Sequence, residues 1–370
     1  MSKVLLGDVA VEHKETCKGS KDGYPIVGLE HLVPEEITLT AWDEGNENTF
    51  TKMFRKGNVL FGRRRAYLKK AAVAPFDGIC SGDITVIEAK PDRILPKLLP
   101  FIIQNDELFD FAVGKSAGSL SPRVKWEHLK NFEFELPDMD KQKELAALLW
   151  AMDDTKKSYQ KLISATDELV KSQFIEMFED RTDIDKVLLK DAFDLQMGKT
   201  PARAESKLWQ SEDHKWISIA DMSTYGKYTG DTKEYLSDIA VKSTGIKIVP
   251  QNTVIMSFKL TIGRTAITSE DIYTNEAIMA FIPKRNLFDI DYLRFALHYF
   301  NWESNIQNAV KGATLNKAII GDTEFGVPSL EEQLRFVEFV EQSDKSKFEL
   351  EQALAELAAT YKRIIAENLG

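Results

Sequence analysis

The sequence has few of the features that mark secreted, metal-binding or membrane proteins. Only two of its 370 residues are cysteines, Cys17 and Cys80, which excludes a disulfide scaffold and zinc sites built from several thiolates. No stretch approaches the roughly 20 consecutive apolar residues that a membrane span needs. The acidic start also differs from a signal peptide. We therefore expect a cytoplasmic protein with reduced thiols and no membrane partner.

The sequence also lacks the common motifs of catalysis. It has no Asn-Pro-Pro-aromatic string and no Gly-x-Gly-x-x-Gly, and its Gly-Lys-Ser and Gly-Lys-Thr strings lack the leading glycine of a phosphate loop. Its five histidines show no metal-ligand spacing, so we expect no bound metal. Asp83 followed by Glu88 and Lys90 resembles a nuclease magnesium motif. However, the three residues fall on one predicted strand, and the second copy has Glu276 at the matching place but no Glu-x-Lys after it. We expect no catalytic residue.

The net charge of -10 is distributed unevenly. Residues 1–137 hold 19 basic and 20 acidic side chains, and residues 181–328 hold 18 and 19, so most of the negative charge falls in the segments between and after them. Phosphate binding depends on the local potential and not on the total charge. The acidic composition therefore does not exclude nucleic acid as a partner.

What the sequence does contain is an internal repeat. Four motifs of the first half return in the same order in the second half, with an offset that changes from 183 to 195 to 191 residues. The two copies thus share a framework and differ in the length of their loops. The matching segments are 4–8 with 187–191, 58–62 with 253–257, 118–120 with 313–315, and 134–137 with 325–328.

Each copy has the pattern of a mixed domain. Short apolar runs at 59–61, 71–74 and 84–87, and at 254–256, 265–268 and 277–281, predict strands, whereas 95–111 and 291–306 have helical spacing. We predict an α/β (α+β) fold with a pseudo-two-fold repeat. Its four parts are a domain at 1–137, a helix at 138–180, a domain at 181–328 and a helix at 329–370.

The two helical segments show a heptad rhythm. Each would be roughly 60 Å long at about 1.5 Å per residue, more than the core of its own domain needs. Pairing of the two as an antiparallel coiled coil explains both, although two independent amphipathic helices are an alternative. The predicted pairing positions are Leu145, Leu148, Met152, Tyr159, Leu162 and Leu169 in the first helix, and Leu350, Leu354, Leu357, Tyr361 and Ile364 in the second.

Over its whole length the chain resembles the specificity subunit of type I restriction-modification enzymes. The resemblance is carried by the repeated Gly-Ser-Leu and Ala-Thr-Leu strings, by the Leu136-Pro137 and Val327-Pro328 pairs that precede Gln142 and Gln333, and by 172–178 at the end of the first helix. The second copy departs from the first by having Gly-Ala-Thr at 312–314 where the first has Ala-Gly-Ser at 117–119.

The resemblance implies two target recognition domains, each reading one half of a split target on double-stranded DNA. It implies that the helices set the spacing between the half-sites and dock two methyltransferase (modification) subunits, with restriction/translocase subunits joining the complex. It also implies that S-adenosylmethionine, ATP and Mg²⁺ bind to those partners and that this chain is not an enzyme. The alternatives are a self-contained nuclease or methyltransferase with recognition domains, and a purely structural coiled-coil scaffold.

The predicted DNA contacts lie in basic and polar loops that recur in both copies, and in the polar stretches 38–51 and 221–235, which do not align between the copies. Arginine and lysine bind phosphates and guanine, and hydroxyls and amides bind either phosphates or bases. Each loop has a simpler alternative: a solvated basic hairpin at 63–70, helix caps at Ser119 and Thr314, and ordinary surface loops at 38–51 and 221–235. The candidates are Arg63, Arg64, Arg65, Tyr67, Lys69, Lys70, Lys115, Ser119, Ser121 and Arg123 in the first copy, and Tyr225, Tyr228, Lys259, Arg264, Lys311, Thr314, Asn316 and Lys317 in the second.

Overall fold

The computed structural model describes residues 2–44, 49–118, 120–179, 181–302 and 315–369. The chain forms two compact units. Unit 1 comprises residues 1–162 and 350–370, and unit 2 comprises residues 163–349. Part of each long helix therefore belongs to unit 1 and part to unit 2. The predicted domain boundaries at 137, 180 and 328 stay a prediction.

Unit 1 is built on three small sheets. A four-stranded antiparallel sheet has the order β2-β8-β5-β6, a three-stranded sheet has the order β3-β7-β4, and β1 pairs with β9. In the largest sheet Val59 lies opposite Ile87, and both are fully buried. The strands are β1 Ser2–Leu5, β2 Ala10–Glu12, β3 Ile26–Val27, β4 Lys52–Phe54, β5 Val59–Gly62, β6 Ala71–Val73, β7 Gly78–Cys80, β8 Ile84–Ala89 and β9 Glu133–Leu136.

Unit 2 repeats this framework. Its four-stranded sheet has the order β11-β17-β14-β15, its three-stranded sheet the order β13-β12-β16, and β10 pairs with β18. Val254 lies opposite Phe281 where Val59 faces Ile87 in unit 1. The strands are β10 Asp185–Leu188, β11 Phe193–Met197, β12 His214–Ile217, β13 Glu234–Leu236, β14 Val254–Ser257, β15 Thr265–Ile267, β16 Tyr273–Thr274, β17 Ile278–Pro283 and β18 Glu324–Val327.

The two sheet frameworks confirm the predicted internal repeat, and all six predicted strands are present. The three-stranded sheets show where the copies diverge. Each contains a parallel pair, β3 with β7 and β12 with β16. The third strand, however, joins β7 in unit 1 and β12 in unit 2, so it lies at opposite edges of the two sheets. The extra strand comes from segments that do not align between the copies.

Short helices connect the strands. The helical pattern at 95–111 forms two helices, because Asn105 caps the second one by accepting a hydrogen bond from the amide of Glu107. The helices are Leu6–Val9, Leu99–Ile103, Asp106–Gly114 and Trp126–Leu129 in unit 1, and Leu189–Ala192, Ile219–Met222, Asp238–Thr244, Ile290–Tyr299 and Lys317–Gly321 in unit 2; 3₁₀ turns occupy Leu29–His31, Ala66–Leu68 and Ser206–Leu208.

Two long helices account for the predicted helical segments. The first, Met139–Phe174, continues into a π-helical turn at Ile175–Glu179, and the second is Leu330–Leu369. The beginning of the first helix and the end of the second share the core of unit 1, and the remaining parts of both share the core of unit 2. In the described part of the chain, no helix combines the length and the apolar character needed to cross a membrane.

Three of the predicted pairing positions are wrong, and two of them lie one residue from a buried apolar side chain. Leu148, Leu162 and Leu169 are each about half exposed, at 46%, 51% and 53%. The adjacent Leu149 and Val170 are buried instead. Each predicted leucine has an apolar neighbour, so the heptad pattern fits two registers and the sequence does not choose between them. Leu145 and Met152 are buried, and the other predicted positions, Tyr159, Leu350, Leu354, Leu357, Tyr361 and Ile364, are half-buried.

A buried glutamine near the start of each long helix ties that helix to its unit. Gln142 accepts a hydrogen bond from the amide of Leu95 at 2.8 Å and donates to the carbonyl of Pro137 at 2.9 Å. Gln333 accepts from the amide of Asp289 at 2.7 Å and donates to the carbonyl oxygens of Leu287 and Pro328. Both glutamines are almost fully buried. Replacing either glutamine with an apolar residue therefore leaves the backbone groups that it binds without partners.

We predict that Gln333→Ala lowers the free energy of unfolding of unit 2 by about 1–3 kcal/mol, the usual cost of an unsatisfied buried polar group. Urea unfolding followed by tryptophan fluorescence measures this change. Gln342→Ala, at an exposed site on the same helix, serves as the control and should change stability by less than about 0.5 kcal/mol. Equal effects of the two substitutions would contradict the structural role of Gln333.

Candidate nucleic-acid interface

The basic run of unit 1 forms a compact loop between β5 and β6. Arg65 and Lys69 adopt left-handed backbone conformations, with φ of 54° and 51°, on either side of the 3₁₀ turn Ala66–Leu68. Ala66 is buried and anchors the turn. Tyr67 and Arg65 are exposed. Left-handed backbone at residues other than glycine is unfavourable and concentrates at functional sites, so this loop is held in a defined shape.

The structure brings two predicted segments together in unit 1. The amide of Arg65 donates to the carbonyl of Pro122 at 2.8 Å, and the amide of Val124 donates to the carbonyl of Arg63 at 3.0 Å. Arg64 Nε also donates to Ser121 Oγ at 2.6 Å. The basic run and the 115–123 loop therefore form one continuous surface, which neither segment indicates by itself.

Asp83 lies at the centre of this surface and holds two arginines. Arg123 binds it side-on, with Nε 2.7 Å from Oδ1 and Nη2 3.2 Å from Oδ2. Arg64 Nη1 lies 3.4 Å from Oδ2. The hydrogen bond from Arg123 is the largest influence that holds the pKa of Asp83 below its usual value, and the charge of Arg64 adds to it. Asp83 is thus an ionised carboxylate that orders two guanidinium groups.

The same contacts argue against the magnesium motif. The carboxylate of Asp83 is occupied by two cations, Glu88 Oε2 is 2.8 Å from His13 Nδ1, and Lys90 Nζ donates to the carbonyl of Gly7 at 2.7 Å. All three residues of the motif therefore have structural partners.

The predicted lysine contacts of unit 1 differ in whether another group of the protein already binds them. Lys69 Nζ is 2.5 Å from Asp106 Oδ1, a contact that raises the pKa of Lys69. Lys70 Nζ donates to the carbonyl of Leu29 at 2.8 Å, whereas Lys115 is exposed. The predicted residue Ser119 lies outside the described residues. Lys69 and Lys70 therefore have local structural roles.

In unit 2 the corresponding loop is the hairpin between β14 and β15. The hydroxyl of the fully buried Ser257 donates to the carbonyl of Thr261. This hydrogen bond connects the two sides of the loop. Leu260 has φ of 65° and is 91% exposed at the tip, next to the exposed Lys259. Gly263 has φ of 83°, a value that strongly favours glycine. The hairpin therefore presents a cation and an apolar side chain together.

Arg264 and the predicted tyrosines lie next to this hairpin. Arg264 Nη1 donates to the carbonyl of Ser223 at 3.2 Å, which places the hairpin beside the 221–235 segment. Tyr225 donates its hydroxyl to the carbonyl of Asp231 at 2.9 Å, and burial raises the pKa of Tyr225. Tyr228 is about half exposed and forms a β-bridge with Ile267. Of the two tyrosines, Tyr228 has the free surface that DNA contact requires.

The last predicted segment of unit 2 is only partly described. Lys311 and Thr314 lie outside the described residues. Asn316 caps the helix Lys317–Gly321 by accepting hydrogen bonds from the amides of Ala318 and Ile319. Lys317 is exposed at the first position of this helix. Asn316, a predicted DNA contact, therefore caps a helix, whereas the alternative of caps at Ser119 and Thr314 falls outside the described residues.

His298 contacts the backbone of the hairpin between β14 and β15 in unit 2. Its Nδ1 lies 2.8 Å from the carbonyl of Gly263, next to Arg264. Burial is the main cause that lowers the pKa of His298, and the charges of Arg294 and Arg264 act in the same direction. Neutral His298 therefore stabilises the folded unit, and this contribution is complete above the unfolded pKa of about 6.5 and is lost as the pH falls below it.

We predict that the melting temperature of the wild-type protein falls more between pH 7.5 and pH 5.5 than that of His298→Gln, with a difference of at least about 2 °C. Scanning calorimetry at both pH values measures this difference. The substitution removes the titrating group and retains a hydrogen-bond donor. If the two proteins lose the same number of degrees, His298 is not the group responsible.

One described cluster, Glu30, His31 and Asp43, has three possible metal-ligand atoms close together. His31 Nδ1 lies 2.9 Å from the amide of Gly28 and accepts its hydrogen. The neutral ring therefore carries its proton on Nε2, which faces Asp43 Oδ1 at 3.5 Å. A nitrogen with a proton does not bind a metal, so this geometry does not support a metal ion at His31.

Sequence reasoning missed two kinds of residue at these surfaces. The sequence indicates Asp83 only as part of a nuclease-like motif, because its two arginine partners are distant in sequence. Leu120 and Leu260 are not among the predicted contacts, although both are 91% exposed beside them. Their place within the predicted contact loops is the signal that indicates them, since a single exposed leucine is by itself common on protein surfaces.

Two repeated α/β units, each with a basic loop at one edge of its four-stranded sheet, define a tandem-repeat protein. The family described as type I restriction modification DNA specificity domain matches residues 4–165 and 182–358, one match for each copy of the repeat. Together these matches cover most of the chain, and the chain belongs to this family.

Individual relatives are more distant. The chain is similar to the EcoprrI type I restriction enzyme specificity subunit of Escherichia coli, with 25% identity over 34% of this chain and 31% of that protein. It is also similar to the MjaIX specificity subunit of Methanocaldococcus jannaschii, with 25% identity over 47% of this chain and 43% of that protein. The matches thus span less than half the length of these curated relatives.

Solved structures show the same fold over the full chain. A chain from a structure of complex assembly and conformational transition in the type I R-M system has a TM-score of 0.70, with 20% identity over 99% of this chain and 97% of that chain. The S subunit of a type I restriction-modification system from M. genitalium has a TM-score of 0.53, with 13% identity over 98% and 94%. These likenesses confirm the predicted α/β fold.

Proposed function

We propose that this chain is the non-catalytic DNA-recognition subunit of a type I restriction-modification system, and that each unit reads one part of a split DNA target. The observation that carries this proposal is the joining of two basic segments around Asp83 in unit 1, in a chain whose two copies both match the specificity domain family. Arg64, Arg65 and Arg123 present guanidinium groups that suit phosphates and guanine.

We further propose that the chain works with partner subunits. Two modification subunits that bind S-adenosylmethionine would methylate adenine, and restriction subunits would use ATP and Mg²⁺. The long helices would dock the modification subunits and set the gap between the half-sites. The names of the relatives, which are subunits of type I restriction enzymes, support a multisubunit function.

Co-expression of the chain with modification subunits from the same genome, followed by methylome sequencing, tests this proposal. We expect a two-part adenine-methylated motif that is absent without the chain. No new methylation, with all subunits present as a soluble complex, would contradict the proposal. Methylation or cleavage by the purified chain alone would instead support a self-contained enzyme.

A further inference from the structure

We infer that Asp83 is a positioning residue that determines specificity, because it holds Arg64 and Arg123 in a fixed pair for reading bases and restrains them from binding phosphate indiscriminately. This inference rests on the proposed DNA-recognition function. It concerns how unit 1 distinguishes its target from other DNA.

The position of Asp83 is fixed by its own backbone. Its carbonyl accepts a hydrogen bond from the amide of Arg63 at 3.0 Å, at the end of the ladder where Gly62 pairs with Ile84. Its amide lies 3.2 Å from Ser81 Oγ. The carboxylate is therefore attached to the rigid edge of the four-stranded sheet, although the arginines that it holds come from two loops.

Each arginine is fixed at two points. Arg64 contacts both Asp83 and Ser121 Oγ, and Arg123 binds both oxygens of Asp83. A free arginine side chain has about 2 kcal/mol of rotamer entropy to lose on binding. Because this ordering occurs before DNA arrives, the pair meets a base edge in one geometry, as preorganised recognition sites do.

Exposure shows which groups face the solvent. The side chains of Arg64 and Arg123 are 38% and 41% exposed, whereas that of Asp83 is 21% exposed. An ion pair as exposed as this contributes little to folding stability. Yet a carboxylate within a phosphate-binding surface opposes binding to any DNA. An acid that stabilises little and weakens general affinity fits a role in selectivity.

Unit 2 has a different arrangement at the position that corresponds to Asp83. Ala277 occupies the position of Asp83 in the fold, because its carbonyl accepts from the amide of Phe258 at 2.9 Å as that of Asp83 does from Arg63. Ala277 has no carboxylate; the neighbouring Glu276 accepts a hydrogen bond from Thr200, and Arg264 donates to a backbone carbonyl instead. The arginine pair on one carboxylate is therefore a particular feature of the target read by unit 1. It is not a requirement of the shared framework.

The test compares Asp83→Asn with the wild-type chain, each in complex with the modification subunits. Dissociation constants are measured for a duplex with the methylated motif and for a scrambled duplex of equal length, at several salt concentrations. We expect target binding to weaken by about 10-fold and scrambled binding to strengthen by about 3-fold. The salt dependence for scrambled DNA should become steeper by up to about one counterion, because an arginine is released. A merely structural role weakens both.

Asp77→Asn is the matched control. Asp77 also holds an arginine, Arg55, and a backbone amide in unit 1, but at a different turn. We expect it to leave the ratio of the two affinities unchanged. Should Asp83→Asn not fold, Arg123→Lys keeps the charge, loses the side-on contact and should lower the ratio in the same direction.

The outcomes separate the inference from the proposed function. An unchanged affinity ratio in Asp83→Asn, or equal losses on both duplexes, overturns the inference and leaves the proposed function intact. A wild-type complex that binds both duplexes equally overturns both.

Discussion

Replacing Arg64 and Arg65 together with alanine is expected to weaken binding of the target duplex by about 100-fold or more. Each well-placed arginine contributes roughly 1–3 kcal/mol of discrimination at a base or a charge-assisted contact at a phosphate. Arg65 is exposed and held in a left-handed turn, and Arg64 is held by Ser121 and Asp83. Fluorescence anisotropy with a labelled duplex measures the change.

The control removes the same charge elsewhere. Arg93 and Lys97 are exposed in unit 1, outside the loops at 63–70 and 115–123. Replacing both with alanine removes two positive charges, as the test variant does, and should weaken binding by less than about threefold. If the two double variants weaken binding equally, the effect is one of net charge, and the basic loop is not the DNA-binding surface.

The framework was predictable because its signals are local and repeated. Runs such as 59–61 and 254–256 alternate with turn residues, and their recurrence in the same order identified two copies of one fold. The three-stranded sheets were not predictable to the same degree. Their third strands, β4 and β13, lie in segments without counterparts, so no repeat guided the assignment.

The candidate site was predictable as a set of loops but not as an arrangement. The basic run at 63–65 and the loop ending at Arg123 are 60 residues apart in the sequence, and only the fold shows that Asp83 links them. Composition identified cations, which are frequent in DNA-binding loops. It did not show that Lys69 and Lys70 already have partners, because these partners, Asp106 and the carbonyl of Leu29, lie in other elements.

The long helices illustrate a different limit. Leu148 and Leu149 are equally apolar, and a heptad pattern accepts either as the inward position. Which of the two leucines is buried depends on the side of the helix that packs against the rest of the unit. The tertiary structure fixes that side, and the local sequence pattern does not. In unit 2 the tertiary structure likewise selects Val170 over Leu169, and it gives Phe336 a central position that the pairing pattern did not indicate.

Replacing Phe336 with alanine is expected to lower the free energy of unfolding of unit 2 by about 3–5 kcal/mol, the usual range for a buried phenylalanine. Phe336 is fully buried in the second long helix. Its ring centroid lies 5.4 Å from that of Phe178, 5.6 Å from that of Phe174 and 5.9 Å from that of Phe295. These rings come from both long helices and from the helix Ile290–Tyr299, so the substitution leaves a cavity where three helical elements meet.

Scanning calorimetry and urea unfolding measure the loss, and Phe348→Ala provides the matched control. Phe348 lies on the same helix but is 59% exposed, so its truncation should change stability by less than about 0.5 kcal/mol. Phe336→Leu should fall between the two, because it keeps apolar volume and loses the ring contacts. If Phe336→Ala and Phe348→Ala were equally stable, the aromatic cluster would not stabilise the packing of the long helices within unit 2. Since whole domains are stable by only about 5–15 kcal/mol, the predicted loss is enough to unfold a large fraction of the protein at moderate denaturant concentration.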